Sequence, residues 1–287
     1  MSEMDPFVVN RAALYAAAYR MLGTQVDAED VLQEAWLRWS RVDASTLRNP
    51  RAYLFRLVAN EAIDQLRRVR TRREEYIGPW LPEPHIDDAG GPSELADSAS
   101  VGLLVVLETL APDERAVFVL HEAFAFSHAE IAAMLDRSEH AVRQLAYRAR
   151  RHIRAGRPRQ HPTPAEHREL TSRFVAAAVQ GDVAGLLRLL APNAVLHADA
   201  DGQRETPRRP LHGASAIAHW FRTAAPFWPP RLTVHPTAVN GGPGALICGD
   251  GAAFLLFALE FDDTNQVRGI YAQLNPAKLP ARPTASR

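Results

Sequence analysis

The stretch Ser127-His-Ala-Glu-Ile-Ala-Ala-Met-Leu-Asp-Arg-Ser-Glu-His-Ala-Val-Arg-Gln-Leu-Ala-Tyr-Arg-Ala-Arg-Arg-His-Ile-Arg154 decides how the chain reads. Ser127 and Glu130 have the spacing of a capping box, in which each satisfies a first-turn amide of the other. Ile131 to Leu135 predicts a short helix, and Asp136-Arg-Ser138 a tight turn with Ser138 as the next N-cap. The helix that follows has Val142, Leu145, Ala149 and Ile153 on its inner face. Two helices joined by a three-residue turn, the second longer and more basic, describe a helix-turn-helix. Arg143, Tyr147, Arg150 and Arg154 form one strip off the apolar face, with Gln144, Arg148 and Arg151 beside it. The start of such a helix enters the major groove, so His140, Arg143 and Gln144 are placed to read base edges, and Arg148 and Arg151 to hold phosphates. A basic helix can also be no more than a solvated face; the capped turn ahead of it favours DNA.

Upstream, Pro112 marks another helix start. From Asp27 the residues Ala28, Val31, Leu32, Ala35, Trp36 and Trp39 recur at helical spacing, with Asp27, Glu29 and Asp30 in a first turn that suits negative charge. Asn49-Pro50 begins a further helix with Ala52, Phe55, Val58, Ala59, Ala62, Ile63 and Leu66 inward. Arg56, Asn60, Asp64, Arg67 and Arg68 lie on its opposite face. Arg67, Arg68, Arg70, Arg72 and Arg73 then crowd its end, where they either complement the helix dipole or meet nucleic acid together with Trp36 and Trp39. Core packing is the expected role of at least one of those tryptophans.

The 33 basic and 33 acidic residues cancel to zero net charge, but all the basic ones except Lys278 are arginine and they cluster. A global sum hides such local fields. Between the clusters Gly78 to Ser98 is acidic and rich in proline and glycine, which predicts a linker. Trp80 and Leu81 within it favour burial against a neighbouring domain. A second break runs from Gly156 to Pro164. After it a helical stretch gives way to short apolar runs at Val195–His197, Thr233–His235, Gly244–Cys248, Ala253–Phe261 and Val267–Leu274, the pattern of an α+β domain.

Signals for catalysis are weak. There is no HExxH, GxSxG, Walker loop or GxGxxG, and the single cysteine, Cys248, excludes an internal disulfide or a multi-cysteine metal site. No catalytic residue, metal or cofactor is expected. His197, Asp199 and Asp201 near a strand end are read as a satisfied histidine and loop carboxylates, with an acid–base pair as the competing reading. The acidic N-terminus lacks a secretory pattern and no apolar run approaches membrane-spanning length, which predicts a cytoplasmic protein without a membrane partner.

Residues 18–41 and 49–76 resemble region 2 of sigma-70 family factors of the extracytoplasmic-function group, and residues 110–154 resemble region 4. Trp80-Leu-Pro-Glu-Pro84 is similar to a signature of the sigma-J-like subgroup, which carries a fused SnoaL-like C-terminal domain. Asn275-Pro-Ala-Lys-Leu279 resembles that subgroup's NPDKL motif, with Ala277 in place of Asp. Its glycine-rich DGGGK motif survives only as Asp201-Gly-Gln-Arg-Glu205. The resemblance implies a multidomain chain: two all-α domains, sigma region 2 at 1–77 and the region 4 helix-turn-helix at 101–156, joined by a linker at 78–100. An α+β cone-shaped SnoaL/NTF2-like domain follows at 164–287.

By the same resemblance, Asp30, Gln33 and Glu34 would bind the β′ clamp helices of core RNA polymerase, whose β flap is a further contact. Arg48, Asn60, Asp64, Arg67 and Arg68 would recognise the −10 element of promoter DNA. Ser138, His140, Arg143, Gln144, Tyr147, Arg148 and Arg151 would recognise the −35 element. Trp80, Leu81, Pro82, Glu83 and Pro84 with Asn275, Pro276, Lys278 and Leu279 would form a regulatory contact acting in cis. A small-molecule ligand of the C-terminal domain is a further possible partner. Two other readings stand beside this one: a one-component helix-turn-helix regulator with a ligand-binding domain, and a cyclase or isomerase using Asp199 or His197.

Overall fold

A computed structural model describes residues 5–74, 76–86, 99–154, 164–202 and 206–280; side chains of 69–74, 154, 164 and 165 are not described. Most of the acidic linker, the 156–163 break, Gln203–Glu205 and the side chains of Arg70, Arg72 and Arg73 therefore lie outside the described residues. The chain divides into two compact units, Met1–Glu74 with Leu103–Arg157, and Glu75–Gly102 with Pro158–Arg287.

The first unit is helical. Helix α1 (Pro6–Leu22) starts on Asp5, whose carboxylate accepts from the Phe7 amide, and stops at Gly23, whose φ of 78° lets its N–H turn back to the Tyr19 carbonyl. Helix α2 (Gln25–Trp39) follows at once, begun by the Thr24 hydroxyl, so it starts two residues before the expected Asp27. Trp39 is 4% exposed and Trp36 40%, so only Trp39 is core. Helix α3 (Pro50–Glu74) opens on Asn49, which caps the Ala52 amide. Helices α4 (Val101–Glu108) and α5 (Pro112–Glu122) lead into α6 (His128–Leu135) and α7 (Glu139–Arg154).

The capping box is present in both directions: the Glu130 amide donates to Ser127 Oγ at 3.2 Å, and the Ser127 amide to Glu130 Oε2 at 2.8 Å. Asp136 at φ 51° closes α6, and Ser138 Oγ accepts from the Ala141 amide to open α7. The expected turn is thus built from the expected residues. The two modules that the sequence separates pack as one body: Phe55 of α3 meets Phe124 at 4.8 Å and Phe126 at 5.0 Å between ring centroids. Arg115, almost fully buried, donates to the Met21 carbonyl at 2.7 Å and pairs with Glu108 at 2.6 Å. A buried guanidinium needs such partners, and these tie α5 to the end of α1.

The second unit is α+β. Helices α8 (Pro164–Gln180), α9 (Val183–Leu189) and α10 (Ala214–Ala224) cover one face of a six-stranded sheet. Its strands are β1 (Leu190–Asp199), β2 (Leu211–His212), β3 (Leu232–Val239), β4 (Gly242–Gly249), β5 (Ala252–Phe261) and β6 (Val267–Gln273), in the order β2-β1-β6-β5-β4-β3. Only the β1–β6 pairing is parallel. It brings the C-terminal ends of the two strands side by side, Asp199 opposite Gln273. Leu196, Ala198, Ile270, Ala272, Ile247 and Phe257 join the helices in the core, where Phe174, Phe221 and Phe257 meet edge to face. Side chains alternate along a strand, so His197, Asp199, Tyr271 and Gln273 face the other way. Cys248 is buried in β4, and burial pushes its thiol pKa up.

Candidate nucleic-acid interface and linker latch

On α7, Val142, Leu145, Ala146, Ala149 and Ile153 are buried, which fixes the rotation of the helix. Ser138, His140, Arg143, Gln144, Tyr147, Arg148 and Arg151 are all exposed, Tyr147 at 65%. The helix-turn-helix therefore presents one continuous polar and aromatic surface. Three arginines of α7 are held by acids: Arg143 by Glu139 at 3.0 Å, Arg148 by Glu114 at 2.6 Å and Arg150 by Glu122 at 2.7 Å. The exposed Arg143–Glu139 pair is worth about 1 kcal/mol or less, so a phosphate can displace its carboxylate, whereas Glu114 is buried and holds Arg148 from within the unit. Arg150, expected on the outer strip, is instead half-buried against α5.

On α3, Asn60, Asp64 and Arg67 fall on one strip at i, i+4 and i+7, with Arg68 beside it. Arg48 lies in the turn ahead of the helix, whereas Asn60 stands about 15 Å along it from Pro50, so Arg48 is not part of that strip. Asn60 Nδ2 donates to the Met134 carbonyl of α6 at 3.2 Å. Arg67 bridges Asp64 and Asp113, each at 3.3 Å, and Asp113 also holds Arg137 at 2.7 Å. The strip is therefore engaged by α5 and α6 of the same unit. Asp30, Gln33 and Glu34 are exposed together on α2, next to Leu37 at 44% exposure.

The linker motif is not a free spacer. Leu81 is 2% exposed and Pro82 and Pro84 are buried. The Leu81 amide donates to Asp199 Oδ2 at 2.9 Å, and Tyr76 Oη donates to Asp199 Oδ1. Lys278 Nζ donates to the same Oδ2 at 2.8 Å and to the Leu81 carbonyl at 2.7 Å, and sits 4.3 Å from the Trp80 ring centroid. A compact ammonium can serve a carboxylate, a carbonyl and a ring face at once, a task a planar guanidinium fits poorly. Asn275 Nδ2 donates to Tyr76 Oη at 2.9 Å, while its Oδ1 accepts from the Ala277 amide. His85 and Asn240 exchange two hydrogen bonds, and Ile86 bridges Val239 of β3. Ala277 is exposed and contributes its amide, so the replaced Asp of the motif removes none of these bonds. Pro276 is exposed, Leu279 half-buried, and Glu83 half-buried.

Motif reading gave Asp199 another role and Tyr76 none, yet both belong to this contact. Asp199 is a fully buried strand residue with both oxygens occupied rather than a loop carboxylate. Burial and the Asp199 carboxylate raise the Tyr76 phenol above its ordinary pKa, so it remains a donor. His197 stacks on Tyr271 at 5.6 Å, and burial, aided by His212, lowers its pKa to about 4. Of the two bases that the enzyme reading names, Asp199 is committed to the latch.

Comparison with known proteins agrees with this architecture. Residues 7–73 match Sigma-70 region 2, residues 101–153 match Sigma-70 region 4, and residues 171–254 match a SnoaL-like domain. The chain is 38% identical over 257 residues to the ECF RNA polymerase sigma factor SigJ of Mycobacterium tuberculosis, covering 86% of this chain and 81% of that one. The chain belongs to the extracytoplasmic-function sigma factors. This sigma factor is also 32% identical over 288 residues to the probable ECF RNA polymerase sigma factor SigI of the same organism, covering 97% of each. The crystal structure of M. tuberculosis SigJ superimposes on it with a TM-score of 0.78 at 33% identity, covering 99% of this chain and all of that one. The sigma factor acts in promoter recognition and transcription initiation with RNA polymerase, within a family of initiation factors rather than enzymes. No helix among its described residues is long and apolar enough to cross a membrane.

Proposed function

We propose that residues 1–77 bind core polymerase and the −10 element, residues 101–156 read the −35 element, and the SnoaL-like domain at 164–287 sets activity in cis by holding the 78–100 linker. Asp30, Gln33 and Glu34 supply the polymerase contact. Asn60, Asp64, Arg67 and Arg68, with Arg48 at a distance, supply the −10 surface. Ser138, His140, Arg143, Gln144, Tyr147, Arg148 and Arg151 supply the −35 surface, and Trp80–Pro84 with Asn275, Pro276, Lys278 and Leu279 the regulatory contact. The factor works in the cytoplasm by binding, with no chemical step of its own.

The observation that carries this reading is the latch. Between the two DNA-reading modules runs a single linker, and the C-terminal domain grips it through Asp199 and Lys278. Promoter elements are separated along DNA, so the free length of that linker governs whether both modules engage at once. A domain that shortens the linker therefore tunes initiation.

The test is run-off transcription with core polymerase, comparing the full chain with a truncation near Gly156. The two are expected to differ at the same promoter. Failure of both at every candidate promoter ends the sigma reading of these residues, and equal activity of both ends the regulation in cis. The one-component regulator leaves the exposed Asp30–Gln33–Glu34 face without a task.

A further inference from the structure

Helix α4 begins with a residue that weakens helices. Gly102 stands in its first turn, where glycine costs more backbone entropy than any other residue. The sheet of the same compact unit explains its presence. A Cβ on Gly102 would overlap the Glu260 carboxylate and come within 2.6 Å of Tyr271 Oη, so only a glycine brings the chain this close. Ser100, just ahead of the helix, donates from Oγ to Glu260 Oε1 at 3.4 Å. Ala99, Val101 and Gly102 are all buried.

The Glu260 carboxylate is itself held. Tyr271 Oη donates to its Oε2 at 3.1 Å, and Arg268 stands 3.7 Å from the same oxygen. Burial, reinforced by the charge of Glu260, raises the Tyr271 pKa, so the phenol stays protonated and donating. A negative charge fixed at the first turn of α4 also suits the helix dipole. Glu260 is thus placed to hold the end of the linker, as Asp199 holds its beginning.

Asp199 and Glu260 share the face of the sheet that lies away from α8, α9 and α10. Asp199 pairs with Gln273 across β1 and β6, and Glu260 with Gly269 across β5 and β6. The two carboxylates therefore stand about 13 Å apart along the strands and about 10 Å across them. The linker between Leu81 and Ser100 can reach on the order of 60 Å when extended. Fastened at both ends it has none of that reach, because its ends stay about 16 Å apart.

We propose that Glu260 and Tyr271 form a second hold on the linker, at Ser100–Gly102, and that the two holds together restrict the spacing of promoter elements at which this sigma factor initiates. The spacing rests on the regulation in cis read above; the second hold does not.

The test uses the full chain and its variants Gly102→Ala and Glu260→Gln. Alanine favours a helix more than glycine does, so Gly102→Ala tightens the start of α4 if only the helix matters and loosens it if the hold does. Hydrogen exchange of the amides at positions 101 and 102 separates the two, since no bond within the helix protects its first amides. Slowed exchange is expected in the parent, about tenfold or more faster in Gly102→Ala and about threefold faster in Glu260→Gln. The Leu81 amide, held by Asp199, should keep its parent rate, which also reports that the domain is folded. Unslowed exchange in the parent, or exchange unchanged or slower in Gly102→Ala, overturns the hold; equal acceleration at Leu81 overturns it as a separate one. Run-off transcription with core polymerase then uses promoters whose spacer is changed one base pair at a time. The parent should initiate over a narrow range, and Gly102→Ala should raise the yield at outlying spacers about threefold or more relative to the best one. Identical profiles, with exchange altered as expected, overturn the spacing role and leave the hold standing. If the truncation near Gly156 matches the parent at every spacer, the regulation in cis falls instead.

Discussion

Lys278 is the single lysine among 33 basic residues, and it is the cation that meets the buried Asp199 carboxylate. Removing one partner of a buried pair leaves the other charge uncompensated, which costs about 3–5 kcal/mol. Lys278→Met should therefore lower the stability of the C-terminal domain by about 3 kcal/mol, seen as a fall in its thermal midpoint, and Lys278→Arg should not restore it. A midpoint unchanged in the Met variant would show that Asp199 does not need the ammonium. His197 gives a second test at this scale. Its pKa is lowered to about 4 in the fold, whereas the unfolded chain titrates near 6.5. The unfolded state then binds a proton that the folded state refuses, so stability is full above about pH 6.5 and falls as pH drops toward 4. Thermal midpoints taken at pH 7.5, 6 and 5 should decline, and His197→Phe should flatten that decline. The pairing of Tyr76 with Asp199 was not legible from spacing, because the two stand 123 positions apart and only the fold joins them.

The helix-turn-helix was legible because its signals are local. Ser127 and Glu130, Asp136 and Ser138 each act within three or four residues, and each does in the fold what its type suggests. Ser127→Ala should cost about 1 kcal/mol, measured by chemical denaturation of the full chain, since the Glu130 amide loses its acceptor. A loss below a few tenths would mean that packing of α6 on α3 and α7 holds the turn without its cap. The sheet was legible as five apolar runs, but two-residue β2 was not, since so short a strand has no alternation to show. The parallel pairing of β1 with β6 was equally hidden: no turn joins the two strands, and sequence patterns record turns rather than distant neighbours.

At the scale of the molecule, the zero net charge conceals how the helical unit holds its own cations. Asp113 binds Arg67 of the proposed −10 strip and Arg137 beside the helix-turn-helix, and Asn60 donates to the Met134 carbonyl. If both surfaces engage the promoter as proposed, these contacts give way to phosphates. Asp113→Ala takes one carboxylate from two guanidiniums at once, leaving Arg67 only its Asp64 pair, and should tighten binding of a promoter fragment without core polymerase by about two- to fivefold at low salt. Fluorescence anisotropy at two salt concentrations reads this, and an affinity equal to the parent at both would sink it. The sequence showed the arginines but not their partners, because Asp113 and Arg67 belong to segments that looked like separate domains.

Cys248 has one more use. It is the chain's only thiol, and it is sealed inside β4 with its reactivity lowered by burial. Maleimide dyes will therefore pass over the native protein. Exposed positions outside the proposed contacts, such as Val9 and Ala133, can each receive a cysteine without first stripping the parent of its own. The helical unit then becomes its own ruler, and the distance between two dyes reports in real time whether it opens on polymerase and promoter.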